Sequence, residues 1–458
     1  MKKKEKRKIS TTRWIATGFL IVILLGTFLL MLPNSSASGK STGFIDALFT
    51  ATTSVCVTGL TTVVTATHWS LFGKVVILIL IQLGGLGVVC CMVAVLMLFR
   101  VKIDMREKVM IQESYGLDSM RKIMGIIPKV IKGTIIVELT GAIFYSFRFI
   151  PQYGFLRGVW YSVFHSISAF CNAGIDILGD NSLMDYSGDV LVNFTTMFLI
   201  IAGGIGLIVW WDVFSAIKKA RKIGKFRGQI FCKLTLHSKI AISTTVFLIV
   251  SGSVLIFIFE YNNPDTIGNF GLLKKIIASL FQSVTTRTAG FAGVSQAGFR
   301  LYTYVVILVL MIIGGSPMGT AGGLKTTTVA MMFICVGSVI RGKKDVEVYN
   351  RRISSENIRT GLTVIVLGIA MLLAGIIGLS ITDGFSGMAT AYECTSAIAT
   401  VGLSTGITPL LSIGGKLIII IMMFIGRIGP ITIAMAIGGK KCNNNDTRKL
   451  AEKKIIVG

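Results

Sequence analysis

Apolar runs alternate with short polar breaks along nearly the whole chain, and the runs come in two lengths. The long ones, at 14–32, 71–99, 126–150, 190–216, 240–260, 302–340, 361–381 and 417–437, reach the roughly 20 residues a helix needs to cross a bilayer. The short ones lie at 43–54, 158–170, 272–284 and 387–398. The first of these offers about eight helical residues beyond Asp46, about 12 Å and under half the hydrocarbon thickness. Such a segment must enter the membrane and turn back. The order is outward span, short run, inward span, four times over. Backbone that leaves the helix at membrane depth is tolerated only where it is buried in protein or lines a water-filled path.

Each short run ends in a turn with glycine at the same place. The turns are Val55-Cys56-Val57-Thr58-Gly59, Phe170-Cys171-Asn172-Ala173-Gly174, Thr286-Arg287-Thr288-Ala289-Gly290 and Ile398-Ala399-Thr400-Val401-Gly402. Their glycines follow one another at intervals of 115, 116 and 112 residues. Each inward run carries a second glycine cluster, beginning at Gly84, Gly203, Gly314 and Gly426, 24 to 29 residues beyond its turn glycine. Close packing of helices through small residues accounts for part of this, though not for the common offset. The period predicts an all-α polytopic membrane protein. Four pseudo-symmetric quarters, each a helix, a re-entrant loop and a helix, surround one central pore. The divisions are a basic start at 1–13, quarters at 14–99, 126–216, 238–340 and 360–437, and a tail at 438–458.

Composition agrees: 53% hydrophobic, 15% charged, mean hydropathy +0.76. A net charge of +25 suggests nucleic acid until the charges are placed. Of 46 Lys and Arg, 35 fall in 1–13, 100–132, 218–239, 341–359 and 440–454, between or beyond apolar runs. The positive-inside rule puts those segments and both termini in the cytoplasm, which excludes a nucleic-acid surface and suits anionic membrane lipid. The eight cysteines show no metal-ligand or disulfide spacing. His68, His165 and His237 have no paired-ligand spacing, which argues against an intramembrane enzyme. A transporter of organic solutes would place substrate between broken helices of an inverted repeat. Here the repeats are parallel, and the third inward run alone is clearly interrupted.

That interruption is Gly314-Gly315-Ser316-Pro317-Met318-Gly319-Thr320-Ala321-Gly322-Gly323. Against alanine, glycine costs a helix about 1 kcal/mol and proline about 3. The stretch reads as a flexible loop across the path, a gate beneath the four turns. Arg427 stands in the fourth inward run where the first two have Gly85 and Gly204. Its burial at mid-membrane costs about 2.5–3.5 kcal/mol, and its five donors suit the free carbonyls of a broken helix. The alternative is an ion pair with Glu138 or Asp212. Lys325 is expected to cap the loop. Arg287 is expected to brace the third turn or to pair with Glu393.

A permeant cation sheds water, and rings of backbone carbonyls can replace it. Glycine suits such a strand because it accepts positive φ and leaves no side chain in the way. Each short helix also points its C-terminal end, about half a negative charge, toward the membrane centre.

The four units, the stretch Thr53-Ser54-Val55-Cys56-Val57-Thr58-Gly59-Leu60 and the broken run from Gly314 to Thr328 resemble the Trk/Ktr/HKT superfamily of potassium transporters. No helical pair precedes the first re-entrant loop, which resembles the membrane subunit of a bacterial Ktr system. The resemblance implies a selectivity filter made of the four turns, with potassium at carbonyls near Gly59, Gly174, Gly290 and Gly402. Glycine at 59, where some relatives have serine, implies the potassium-selective form, with sodium a possible second ion. Residues 314–323, Lys325 and Arg427 would form the gate. The family also implies a homodimer in the bacterial plasma membrane, seated on an octameric cytosolic ring of a nucleotide-binding regulatory subunit of the KtrA/KtrC kind. The basic loops at 100–132, 218–239 and 341–359 would dock that ring. No Gly-x-Gly-x-x-Gly follows a strand, so the chain itself is expected to bind no nucleotide. Its apolar tail Ile455–Gly458 would lie at the dimer interface.

Overall fold

The computed structural model describes residues 11–87, 120–222, 230–343, 345–429 and 432. The expected tail interface and much of the basic segments at 1–13, 100–132 and 440–454 lie outside these. The first quarter is α1 (Thr11–Met31), α2 (Phe44–Cys56) and α3 (Leu71–Leu86). The second is α4 (Met120–Tyr153), α5 (Phe155–Phe170), α6 (Val190–Gly204) and α7 (Leu207–Lys222). The third is α8 (Leu236–Glu260), α9 (Leu272–Thr285), α10 (Leu301–Ile312) and α11 (Thr326–Ile340). The fourth is α12 (Ser355–Asp383), α13 (Gly387–Ile398) and α14 (Ile413–Ile428).

The long outward helices α1, α4, α8 and α12 are each long and apolar enough to cross a membrane. They expose large apolar side chains such as Leu25, Phe28, Phe147, Phe247 and Ile377. That surface suits lipid, which makes no demand for polarity. The short helices invert the pattern. Thr50, Thr52, Thr53 and Ser54 of α2 are buried, as are Ser166 and Ser168 of α5 and Thr395 and Ser396 of α13. The hydroxyls of Thr50, Thr53, Ser54, Ser166, Ser168 and Ser396 find partners inside the protein. Thr50 Oγ1 donates to the Asp46 carbonyl at 2.8 Å and Ser54 Oγ to that of Thr50 at 2.7 Å. These bonds carry α2 through a polar run to Cys56, ten residues beyond Asp46 rather than the eight expected. Side chains cap the inward helices: Ser70, Asp189 and Ser412 accept from Gly73, Val192 and Gly415 amides.

The inward helices correct the sequence reading. The second, expected as one span over 190–216, breaks after Gly204, and its halves are bent by 96°. Gly206 makes the break at φ +93°. Helix α3 likewise ends at Gly87 (φ +87°) and α14 at Gly429 (φ +96°). Among the described residues, interruption is thus seen in the second quarter as well as the third. The apolar residues Leu207-Ile208-Val209-Trp210 after Gly206 hid it, because hydropathy does not register direction.

Side-chain pairs are among the polar links that join quarters. Lys416 of α14 meets Asp46 of α2 at 2.9 Å, tying the fourth quarter to the first. Gln82 Nε2 of α3 donates to the Glu138 carboxylate of α4 at 3.1 Å. In the basic segment at 341–359, a two-stranded hairpin pairs Glu347–Val348 (β1) with Arg351–Arg352 (β2). Its turn residues Tyr349 and Asn350 have φ of 48° and 57°, the signs of a type I′ turn.

Candidate functional site

The four turns share one backbone course. Two residues before each glycine stands a residue in the left-handed region: Val57 (φ 55°), Asn172 (59°), Thr288 (68°) and Thr400 (51°). The glycines follow at φ +101°, +64°, +84° and +95°. Hydroxyls at the ends of the short helices brace the turns. Gly59 N donates to Thr53 Oγ1 at 2.9 Å, and Gly402 N to Ser396 Oγ at 3.0 Å. Ser168 Oγ donates to the Ile175 carbonyl at 2.6 Å, and Thr285 Oγ1 to that of Phe291 at 2.7 Å. These four hydroxyls were missed in the sequence, although they recur five or six residues before each glycine.

Contacts among the glycines give the order of the quarters. A Cβ on Gly59 would come within 3.0 Å of the Ala173 carbonyl oxygen. One on Gly174 would meet that of Ala289, one on Gly290 that of Val401, and one on Gly402 that of Thr58. The circuit closes, and Gly59 faces Gly290 across it with Gly174 and Gly402 between them. Above the circuit lies a cavity of about 320 Å³ floored by the four glycines.

The predicted turn residues divide into two groups. The carbonyls of Thr58, Ala173, Ala289 and Val401 lie in the circuit. Those of Val55, Phe170 and Ile398 lie instead against Gly84, Gly203 and Gly426, where a Cβ would also fall within 3.0 Å. This explains the offset between the two sets of glycines: the inward helix presses its bare backbone on the end of the short helix. Cys56 and Cys171 are buried beside these contacts, and Cys171 Sγ lies 3.5 Å from Gln82 Oε1. Thr286 bonds its own helix, from Oγ1 to the Ser283 carbonyl at 3.0 Å.

The stretch at 313–325 runs beneath the circuit and is tied on several sides. Gly314 N donates to the Leu324 carbonyl at 2.9 Å, closing the loop at its neck. Ser316 N and Thr320 N donate to the carbonyls of Gly204 and Gly203 at 2.9 and 3.1 Å. Leu207 N donates to Met318 O at 3.2 Å, and the Pro317 carbonyl packs on Gly206. Thr320 Oγ1 donates to the Phe170 carbonyl at 3.0 Å. Gly322 lies directly under Thr400 Oγ1, and Lys325 Nζ donates to Ala321 O at 2.8 Å. Gly319, Ala321 and Gly323 complete the loop, with Gly323 at φ +65°. A helix that ends inside a protein leaves its last carbonyls without partners. The loop supplies amides to those of α6.

Arg427 does the same for α3. Its guanidinium bonds the carbonyls of Gly84 and Gly85 through Nη2, and that of Thr320 through Nη1. It therefore joins the loop to the first quarter from the fourth. Of the alternative partners, Glu138 accepts from Gln82 and Asp212 from Thr235. Arg287 departs from expectation. Its Nη2 donates to the Gly314 carbonyl at 3.1 Å, whereas Glu393 accepts from Ser404 and Thr408. The Arg287 side chain leaves the circuit and braces the neck of the loop.

A chain of apolar spans enclosing a glycine-lined path defines a membrane transport protein rather than an enzyme. Residues 2–441 match the TrkH family model, described as a cation transport protein, and the chain belongs to that family. It is 38% identical to the potassium/sodium uptake protein NtpJ of Enterococcus hirae, over all of this chain and 99% of that one. It is 39% identical to the Ktr system potassium uptake protein B of Bacillus subtilis, over 94% of this chain and 93% of that one. The crystal structure of the potassium transporter TrkH from Vibrio parahaemolyticus superposes with a TM-score of 0.70 at 16% identity, covering 94% and 86% of the two chains.

Proposed function

We propose that this chain is the potassium-translocating subunit of a bacterial uptake system, with the four turns as its selectivity filter. The closed circuit of Gly59, Gly174, Gly290 and Gly402, with a hydrogen-bonded loop beneath it, carries the reading. Bare glycines let carbonyl oxygens meet around one axis, where they can replace the water of a cation. The ends of α2, α5, α9 and α13 add negative potential there. The loop and Arg427 close the path below. The loop opens when its bonds to Gly203, Gly204 and Arg427 are exchanged for others.

Both termini are cytoplasmic on this reading, and the protein works as a homodimer under a cytosolic nucleotide-binding subunit. The names of the Ktr relatives support such a system, and the hairpin with Arg351 and Arg352 offers it a basic contact. Sodium modulates or accompanies potassium, as the name of the Enterococcus relative supports.

Rubidium-86 uptake into potassium-auxotrophic cells expressing the chain with its regulatory subunit tests this reading. Growth rescue and saturable uptake are expected. Removing part of 316–322, or Arg427→Gln, should raise flux and loosen its regulation. Absent rescue would overturn the transport assignment. Silent pores with normal assembly would make the loop structural.

A further inference from the structure

The cavity above the glycines has a chemistry of its own. Asp176 and Asp180 are the ionisable residues among those described that line it, and no Lys, Arg or His does. Asp176 follows the second turn by two residues. Its carboxylate takes hydrogen bonds from the backbone of Leu178 and Gly179 and from Ser182, yet Oδ1 is buried with no partner. A buried carboxylate oxygen left bare is costly unless something meets it. Thr405 Oγ1, three residues past Gly402, is buried and bare in the same wall. The second and fourth quarters stand opposite each other in the circuit, and Asp176 and Thr405 line the cavity from those two quarters. Gln296, by contrast, is fully engaged with Gln282, Tyr392 and Val294.

We infer that this vestibule holds an outer site for a partly hydrated alkali cation, with Asp176 as its anionic ligand and Thr405 as a neutral one on the facing wall. The inference rests on the four turns being the ion path. The cation waits there with some of its water and then passes to the carbonyls of the circuit. Asp180, exposed at the rim, adds field without ligation.

The test is rubidium uptake against concentration for Asp176→Asn, Asp180→Asn and Thr405→Val, with surface expression measured for each. Asparagine keeps an acceptor for the Leu178 and Gly179 amides, so the loop retains its bonds. Asp176→Asn should raise KM about tenfold, the lower end of what a focused charge contributes, with little change in maximal uptake. Thr405→Val should raise KM less, and Asp180→Asn least. Equal effects of the two aspartate variants would reduce the site to diffuse surface charge and overturn it. An unchanged KM in Asp176→Asn with uptake intact would overturn it too, leaving the ion path standing. Loss of uptake in the unmodified chain would instead sink the path itself.

Discussion

At Gly59 two constraints coincide. Its φ of +101° is one that side-chain-bearing residues rarely adopt, and the Ala173 carbonyl occupies the space a Cβ would need. Gly59→Ser must therefore push two turns apart, widening the circuit and placing a hydroxyl beside it. Uptake of sodium relative to rubidium should rise several-fold, read by paired tracer uptake; an unaltered ratio would remove Gly59 from the selecting element. The four turn glycines were legible because they recur in register. Asp176 was not, since an aspartate in a loop looks the same in sequence whether or not its oxygens find partners. Arg427 fell between these cases. Its place in the glycine alignment marked it, but only the folded chain shows it bonding a helix end and the loop at once. Arg287 misled for a related reason: a charge invites a search for its opposite, whereas in this interior a carbonyl serves.

Among the helices, the decisive contact is that of the inward helix on the short one. At Gly84, Gly203 and Gly426 the bare backbone lies against a carbonyl of the short helix, closer than any Cβ permits. Gly203→Ala should destabilise the protein by about 1–3 kcal/mol, as overpacking generally does, and lower its melting temperature in detergent. Gly337→Ala in α11, where a Cβ meets nothing within 4 Å, is the matched control and should leave it unchanged or slightly raised. Equal behaviour of the two would mean the contact yields. Hydropathy found every one of these helices, because length and apolarity decide whether a segment crosses or turns back. It missed the bend at Gly206, because the residues on both sides are equally apolar and the turn lies in a single φ angle.

At the scale of the whole molecule, the quarters must close, and the Asp46–Lys416 pair sits where the last meets the first. Both side chains are partly exposed, so its worth is modest. A double-mutant cycle with Asp46→Asn and Lys416→Met should give a coupling of about 0.2–1 kcal/mol in thermal unfolding; zero coupling would leave closure to apolar packing alone. The recurrence of the four turns was readable from the chain, but their order around the circuit was not, since it is written only in which carbonyl each glycine meets. That order has a consequence in stoichiometry. A ring assembled from four identical chains would carry every feature in quadruplicate, and four copies of the 313–325 loop could not share the space under one axis. With all four quarters on one polypeptide, the loop, Arg287 and Arg427 each exist once. For the gate proposed above, this makes closure the work of a single bolt rather than of a four-leaved iris.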